Sequence, residues 1–123
     1  MVPALRDLLG KSIREIVRAR HSAVLRARAG RLLQADYAPL SFSLSNIGGI
    51  GADRFEAIIN PGQSGILAVG RQHERVIARA GQVVIARGVN LALSLDHRLI
   101  DGRAGAHFME TLAQRIENPP LGR

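Results

Sequence analysis

Cysteine and tryptophan are absent from this 123-residue sequence, and aromatic residues make up only 3% of it. Without cysteine there can be no disulfide, no thiolate metal ligand and no cysteine nucleophile. With so few aromatic side chains, a hydrophobic core has to be built from Leu, Ile, Val and Ala, which pack densely and carry no polar groups. The remaining composition, 46% hydrophobic and 22% charged, is typical of one compact globular domain.

Long apolar runs are also missing. No stretch approaches the ~20 residues that a membrane-spanning helix needs. The amino terminus lacks the charged segment, apolar run and small-residue cleavage site of a signal peptide. We therefore expect a soluble, cytoplasmic protein that does not bind a membrane.

Positive charge is in excess, with a formal net charge of +7. This favours an anionic partner. We do not expect nucleic acid, because the arginines are spread along the chain and the few aromatic residues lack the spacing of a base-stacking surface. A phosphorylated small molecule or an acidic protein fits the charge better.

The first periodic segment predicts an amphipathic helix. Ser12 and Glu15 have the spacing of a capping box, in which the serine hydroxyl and the glutamate carboxylate satisfy free amide groups at a helix start. Gly30 is placed to cap the other end. Apolar residues recur between them at helical spacing: Ile13, Ile16, Val17, Val24 and Ala27.

From residue 40 onward the pattern predicts strands and then a second helix. Five runs are bounded by Gly, Pro or Asn: 40–46, 64–70, 74–79, 82–86 and 88–97. Ala80 and Gly81 form a link of hairpin length, and Gly88 is a candidate bulge or turn. Asp101 can cap a final helix, which Asn118, Pro119 and Pro120 would end. The apolar positions of that helix are Ala104, Phe108, Leu112 and Ile116.

This order predicts an α+β fold, with a mainly antiparallel sheet flanked by an N-terminal and a C-terminal helix. Nothing in the sequence resembles a linker or a low-complexity segment. We therefore expect residues 1–123 to form a single domain.

His97 is the residue best suited to a catalytic role. If the last strand runs to residue 97, side-chain alternation puts His97 on the same apolar face as Leu93 and Leu95. It could then be a buried structural histidine with a hydrogen-bond partner, or a general base. Asp101 follows at a strand-to-helix junction, where its carboxylate could cap the helix or orient the imidazole.

Three longer stretches carry a family resemblance. FSLSNIGGIG at 42–51, AIINPGQSGILAVGR at 57–71 and LALSLDHRLIDG at 91–102 occur in the order and spacing of the catalytic domain of dihydrolipoamide acyltransferases. The last stretch contains HxxxDG, the active-site signature of the CoA-dependent acyltransferase superfamily, which includes chloramphenicol acetyltransferase. VPALRD at 2–7 resembles the family segment before its long helix. The resemblance implies a single truncated catalytic domain, the C-terminal half of a chloramphenicol-acetyltransferase-like fold.

The resemblance also implies roles for three residues. His97 would be the general base that takes a proton from an acceptor thiol or hydroxyl, and Asp101 would orient it. Ser45 matches the serine whose hydroxyl donates to the tetrahedral oxyanion. Direct transfer between two bound substrates is the simpler chemistry, without an acyl-enzyme. Read without the resemblance, Ser45 could simply hydrogen-bond the turn before Gly48 and Gly49.

The substrates and partners follow from the same resemblance. The acyl donor would be acyl-CoA, with acetyl the expected group, or an acyl-carrier protein. The chain contains no lipoyl attachment site, so a lipoyl domain would act as a partner. The family forms homotrimers with the active site between subunits, which makes a homo-oligomer the expectation here. We expect no metal, because His21, His73 and His107 lack ligand spacing.

Three accounts of the truncated domain remain open. The chain could be a stand-alone acyltransferase, or one half of a split enzyme whose second chain supplies the rest. It could also be a non-catalytic assembly or interaction module. The presence of all three chemistry-bearing residues, Ser45, His97 and Asp101, favours the two catalytic accounts. Arg98 is expected to pair with Asp96 or a neighbouring acid and to organise the active-site turn, and not to contact a substrate.

Overall fold

The computed structural model describes residues 3–37 and 39–119. The chain separates into two compact units, one formed before Ser41 and one from Ser41–Pro119. The helices and strands follow in the order α1 (Ile13–Arg28), β1 (Phe42–Asn46), β2 (Gly65–Arg79), β3 (Gln82–Leu95) and α2 (Gly102–Glu117). Two short 3-10 helices lie at Gln34–Tyr37 and Gly48–Ile50.

The helix of the first unit, α1, is capped as the sequence predicts. The Ser12 hydroxyl accepts a hydrogen bond from the Glu15 amide at 3.3 Å, and the Glu15 carboxylate accepts one from the Ser12 amide at 2.8 Å. After the helix ends, Gly30 adopts a left-handed φ of 66° and its amide donates to the Ala27 carbonyl. Both predicted helix boundaries are therefore confirmed.

The first unit is also held by a buried carboxylate. The Asp36 side chain is 4% exposed and accepts two hydrogen bonds from Arg26, at 2.7 and 3.0 Å. It accepts a third from the Leu33 amide at 2.8 Å. The hydrogen bonds from Arg26 are the main reason that the pKa of Asp36 lies below its usual value. This carboxylate ties the segment after α1 back to the helix.

The second unit is built on a three-stranded mixed sheet in the order β1-β2-β3. β1 pairs in parallel with the first part of β2, and β2 pairs with β3 in antiparallel fashion along almost its whole length. The predicted α+β class is confirmed. Antiparallel pairing predominates because the β2–β3 hairpin is much longer than β1.

The strands differ from the sequence prediction in their continuity. The runs at 64–70 and 74–79 are parts of one strand, β2, and those at 82–86 and 88–97 merge into β3. The hairpin turn is confirmed at Ala80 and Gly81, both of which have positive φ. Two consecutive left-handed residues match the twist of a two-residue hairpin turn.

The bulge predicted at Gly88 is wrong. Gly88 pairs regularly with His73, and the register shift lies in β2 between Val69 and Gln72. There, two residues of β2 stand opposite a single residue of β3. The bulge falls at Gly70 because the Asp53 carbonyl oxygen occupies the space that a side chain would need.

The core of the second unit is small and centres on β2. Its buried apolar residues are Ile66, Leu67 and Ala68. Helix α2 packs on one face of the sheet, where the rings of Phe42 and Phe108 lie 6.2 Å apart. Gly105 permits this approach, because a Cβ atom there would lie 2.6 Å from a methyl group of Leu95.

The predicted final helix is confirmed, with Asp101 as its N-cap and its last residue at Glu117. Asn118 follows as its C-cap, and Pro120 lies outside the described residues. In the part of the chain that the structure describes, no helix is long and apolar enough to cross a membrane.

Large apolar side chains remain on the surface of the second unit. Ile58 is 91% exposed and Ile50 is 85% exposed, and Val83 and Ile85 are also exposed on the hairpin. The chain by itself therefore leaves apolar area that a partner could bury.

Candidate active site

His97 lies in an exposed turn rather than in the last strand. β3 ends at Leu95, and the residues from 97 to 99 form the turn that leads to α2. The expectation that His97 continues the apolar face of the strand is therefore wrong, and so is the interpretation of His97 as a buried structural histidine. The strand stops because Asp96 redirects the backbone into the turn.

Asp96 holds this turn from two sides. Its carboxylate accepts hydrogen bonds from the Arg98 amide at 3.0 Å and from Arg98 Nη2 at 2.6 Å. Its carbonyl oxygen accepts from the amides of Leu99 and Ile100 at 2.9 and 3.0 Å. The expected pairing of Arg98 with Asp96 is thus present. Because the pair brackets His97 in the chain, it fixes the backbone on both sides of the imidazole.

The electrostatics of the turn follow from this pair. Hydrogen bonding from the Arg98 side chain lowers the pKa of Asp96 to about 2, and the Arg98 amide adds to the effect. The carboxylate therefore stays ionised at neutral pH. The Arg98 side chain is largely exposed, so its remaining surface can still face solvent or an anionic ligand.

Two grooves meet at His97. One, of about 550 Å³, lies between residues 59–63 and residues 95–99. The other, of about 390 Å³, lies between the end of β3 and α2, with Leu93, Asp101 and Met109 in its lining. His97 lines both grooves. The imidazole can therefore be reached from two sides, which suits a reaction between two substrates.

Asp101 acts as the cap of α2. Its Oδ1 atom accepts a hydrogen bond from the Ala104 amide at 2.8 Å. Asp101 lines the groove between β3 and α2 together with His97, but no hydrogen bond joins the two side chains among the described residues. Of the two roles considered for Asp101, the structure shows the capping role.

Ser45 lies on β1, on the sheet face opposite α2. It pairs with Ala68 of β2, which in turn pairs with Ala92 of β3, so these three residues share a face. Ser43 and Ser94 share it too, and both are engaged: Ser43 donates to the Gln63 side chain at 2.6 Å, and Ser94 donates to the Ala57 carbonyl at 2.8 Å. Ser45 is half-buried and has no hydrogen-bond partner among the described residues.

The turn after β1 is held by Asn46 and not by Ser45. The Asn46 Oδ1 atom accepts a hydrogen bond from the Gly48 amide at 3.0 Å. Side chains of this type commonly stabilise a turn two residues later. This contact gives the turn the stabilisation that Ser45 was considered to supply, so the Ser45 hydroxyl is left for another partner.

The structure brings His97 and Asp101 to one groove but does not bring Ser45 to them. Through β2, Ser45 is in register with Ala92 of β3, which lies three residues before Leu95. Ser45 and Leu95 are therefore three residues apart along the sheet and two strands apart across it. Standard strand dimensions then put the Cα atoms of Ser45 and Leu95 about 14 Å apart. Ser45 lines neither groove at His97. Within one chain, Ser45 and His97 therefore do not share a groove.

Sequence reasoning missed a set of contacts next to Ser45. The loop after β1 is joined to the bulge of β2 through an ion pair between Asp53 and Arg71, at 2.8 Å. A Cβ atom on Gly48 would lie 2.5 Å from the Gly70 carbonyl oxygen, so the loop and the bulge approach each other at glycine. The glycines themselves were visible in the sequence, but no local pattern shows which two segments meet.

Candidate metal ligands are sparse. Within residues 3–37 and 39–119, no three His, Asp or Glu side chains are grouped so that they could hold a metal ion. His107 lies 3.9 Å from Glu110 on the exposed side of α2, at the spacing of neighbouring helix residues.

Comparison with known proteins assigns the family. The sequence model described as 2-oxoacid dehydrogenases acyltransferase (catalytic domain) matches residues 1–121. The chain is 39% identical over 119 residues to the dihydrolipoyllysine-residue succinyltransferase component of the 2-oxoglutarate dehydrogenase complex of Rickettsia felis. It is 36% identical over 121 residues to the dihydrolipoyllysine-residue acetyltransferase component of the pyruvate dehydrogenase complex of Rickettsia prowazekii. These matches cover 97% and 98% of this chain but only 30% of each relative.

Solved structures agree with the sequence relatives. The probable dihydrolipoamide acetyltransferase of Listeria monocytogenes superposes with a TM-score of 0.93 at 30% identity, over all of this chain and 53% of that one. The dihydrolipoamide acetyltransferase of Azotobacter vinelandii gives a TM-score of 0.91 at 27% identity, over 96% of this chain and 49% of that one. The resemblance seen in the sequence is thus confirmed, and the chain belongs to the family of 2-oxoacid dehydrogenase acyltransferase catalytic domains.

Proposed function

We propose that this chain catalyses acyl transfer between a CoA thioester and a thiol acceptor, with His97 as the general base and Ser45 as the oxyanion donor. The spacing of the site residues carries the proposal. The Azotobacter vinelandii structure belongs to a study of a serine, a histidine and an asparagine in the catalytic mechanism, the histidine 52 positions after the serine and the asparagine four positions later. Ser45, His97 and Asp101 have these same spacings, with aspartate in the third place.

The first step forms the new bond. The His97 imidazole takes the proton from the acceptor thiol, and the sulfur attacks the carbonyl carbon of the acyl-CoA thioester. The carbonyl oxygen becomes an oxyanion, which receives a hydrogen bond from the Ser45 hydroxyl. Ser45 suits this role because its hydroxyl is free of other partners in the described structure. One such donor contributes about 3 kcal/mol in other enzymes.

The second step releases the products. The tetrahedral intermediate collapses, the bond between the carbonyl carbon and the CoA sulfur breaks, and the leaving sulfur takes the proton back from the His97 imidazolium. The acyl group is then on the acceptor thiol, CoA is a free thiol, and His97 is neutral again. No acyl-enzyme is formed, because both substrates reach His97 from its two grooves.

The substrate class follows from the relatives and from charge. The Rickettsia relatives are named for transfer to a dihydrolipoyllysine residue, which makes a dihydrolipoyl thiol the first acceptor to test. CoA carries phosphates, and this chain has a net charge of +7. Attraction between them would assist encounter, within the Debye length of about 8 Å at physiological salt. A carrier-bound hydroxyl acceptor and an acyl-carrier protein donor are the alternatives.

Assembly is part of the proposal, because Ser45 and His97 lie apart within one chain. We place the complete site between copies of the chain, with Ser45 from one copy and His97 from its neighbour. One structural relative is described as the cubic core of the pyruvate dehydrogenase multienzyme complex. The exposed apolar side chains on this chain give such an assembly surface to bury. The trimer, the single-domain organisation and the cytoplasmic location remain predictions.

A direct assay tests the function. The purified chain is incubated with acetyl-CoA and dihydrolipoamide, and S-acetyl-dihydrolipoamide and free CoA are both quantified by mass spectrometry. The proposal predicts equal amounts of the two products, and neither product above background with His97→Ala. Hydrolysis of acetyl-CoA without acylated acceptor would contradict transfer.

The second candidate is a subunit that needs another chain, either to complete a split enzyme or as a non-catalytic assembly module. It is favoured by one observation, that the chain spans about half of its structural relatives and about a third of its sequence relatives. Transfer that begins only when a second polypeptide is added would select the split enzyme. No transfer under any of these conditions, together with stable binding of that polypeptide, would select the assembly module.

A further inference from the structure

The loop that follows Ser45 is clamped to β2 through two glycines. A Cβ atom on Gly48 would lie 2.5 Å from the Gly70 carbonyl oxygen and 2.7 Å from the Arg71 nitrogen. A Cβ atom on Gly70 would overlap with the Asp53 carbonyl oxygen. The loop and the strand therefore meet backbone to backbone, at a distance that any larger residue would prevent.

Side chains and amides complete the clamp. Arg71 Nε donates to Asp53 Oδ1 at 2.8 Å, and the Arg71 amide donates to the Ala52 carbonyl at 2.7 Å. From the neighbouring strand, Asn90 Nδ2 donates to the Asp53 carbonyl at 3.1 Å. Three hydrogen-bond donors, two from Arg71 on β2 and one from Asn90 on β3, thus converge on residues 52 and 53.

The β-bulge is what makes this convergence possible. Gly70 and Arg71 together stand opposite the single residue Asn90, where a regular ladder would have one residue on each strand. Bulges commonly redirect a side chain out of the regular alternation of a strand. Here Arg71 is directed toward the loop that leaves β1, and both segments are joined at Asp53.

Ser45 depends on this loop more than a central strand residue would. β1 has five residues and is paired on one side only, with β2. Ser45 is its second-last residue, so only Asn46 separates it from the loop. An edge strand of this length has few hydrogen bonds of its own to hold its end in place. The position of Ser45 therefore depends both on its pairing with Ala68 and on how the following loop is anchored.

We propose that the ion pair between Asp53 and Arg71, seated on the bulge at Gly70, is a positioning device for the Ser45 hydroxyl. The inference rests on the proposed function of Ser45 as an oxyanion donor. Such a donor has to be held within about 0.5 Å of its productive position. A displacement of about 1 Å can cost a factor of 100 in rate. Arg71 and Asp53 themselves touch no reacting atom in this proposal.

A purely stabilising role is a poor explanation for the pair. The side chains of Arg71 and Asp53 are 51% and 56% exposed, and ion pairs in such positions contribute little to overall stability. What the pair does provide is a fixed connection between the loop and the bulge. Breaking it should thus leave the melting temperature almost unchanged while it loosens the end of β1.

The test combines kinetics with local dynamics. Arg71→Met is compared with Arg79→Met, which removes an exposed arginine near the tip of the same hairpin. Each variant is measured as the active assembly, for kcat, for KM toward acetyl-CoA and for Tm. We expect Arg71→Met to lower kcat about tenfold, with KM and Tm close to wild type, and Arg79→Met to leave all three unchanged. Amide exchange at residues 45–53 should accelerate in Arg71→Met alone, and Arg71→Lys should restore part of kcat.

A double-mutant cycle with Ser45→Ala identifies the residue through which the clamp acts. If Arg71 positions Ser45, then Arg71→Met has no further effect on kcat once Ser45→Ala is present. Two results would overturn the inference while the proposed function stands. The first is that Arg71→Met lowers kcat by a full further tenfold when Ser45→Ala is already present. The second is that Arg71→Met alone has a normal kcat although Ser45→Ala lowers kcat. A normal kcat in Ser45→Ala itself would remove the proposed role of Ser45, and the positioning role with it.

Discussion

His97 and Asp101 line the same groove, yet the hydrogen bond of the Asp101 carboxylate goes to the amide of Ala104. One carboxylate therefore holds the start of α2, and with it the wall of the groove that faces the imidazole. In the described structure the second oxygen of Asp101 accepts no hydrogen bond.

This relationship predicts different outcomes for two substitutions of Asp101. Asp101→Asn retains an N-cap oxygen and introduces the residue type named for the Azotobacter vinelandii enzyme. Its Tm should therefore stay close to that of the wild type, and its kcat within about twofold. Asp101→Ala should lose about 1 kcal/mol of stability, as helices do when an N-cap is removed. Thermal unfolding and the acyl-transfer assay measure the two effects. Equal stability of the alanine and asparagine variants would contradict the capping role.

Substitution of His97 should affect chemistry and not folding. Because His97 is exposed in a turn that Asp96 and Arg98 hold, His97→Gln should leave Tm unchanged. Loss of a general base should lower kcat by about 10²- to 10⁴-fold. His21→Gln, at an exposed position on helix α1, is the matched control and should retain full activity. Wild-type kcat in His97→Gln would contradict the assignment of the base.

Acid should open the turn around His97 in a defined pH range. The pKa of Asp96 is lowered from 3.8 to about 2, chiefly by its hydrogen bond with Arg98. Because the folded pKa is the lower one, the pair stabilises the turn above pH 4 and loses this effect as the pH falls toward 2. The amide proton of residue 98, which donates to the Asp96 carboxylate, should report this titration by NMR.

Arg98→Met provides the comparison for that titration. Without the guanidinium, the midpoint seen by the amide of residue 98 should move up toward the ordinary aspartate value of 3.8. The pKa of Glu15, which its hydrogen bonds with Ser12 lower, should not move in this variant. A wild-type midpoint already near 4 would mean that Asp96 and Arg98 do not form a lasting pair in solution.

The first unit should depend on the pairing of Arg26 with Asp36. Arg26→Met leaves the Asp36 carboxylate, with its 4% exposure, without its charged partner. Unpaired charges are unfavourable in such positions, so Tm should fall at neutral pH. Arg28→Met removes an arginine from the same helix end without touching Asp36 and should have little effect. If both variants melt at the wild-type temperature, the pair does not hold this unit together.

Local patterns in the sequence predicted the helices well. Both helix starts were visible because capping depends on neighbouring residues: Ser12 with Glu15, and Asp101 with the amide of Ala104. The hairpin turn at Ala80 and Gly81 is equally local. The α+β class followed from the order of the predicted elements. The family resemblance predicted the chloramphenicol-acetyltransferase-like fold and the site residues for a different reason, since it carries information from related chains.

Two sequence predictions are wrong, and the position of Ser45 relative to His97 also needed the paired sheet. The bulge is at Gly70 and not at Gly88, because the Asp53 carbonyl approaches β2 there, and no local pattern reveals that contact. His97 leaves the strand because Asp96 bonds forward to Arg98, although the alternation of apolar residues continues to Leu95. Likewise, the separation of Ser45 from His97 depends on strand register, which only the paired sheet defines.

Subunit complementation tests the central claim, that Ser45 of one copy acts with His97 of another. Ser45→Ala and His97→Ala chains are co-expressed with different affinity tags and purified through both tags, and acyl transfer is measured. If each site takes one residue from each of two copies, every mixed trimer has one intact site of three, so activity should recover to about a third of wild type, although each variant alone has little activity. Mixed assemblies that contain both chains and show no activity above the separate variants would contradict the account.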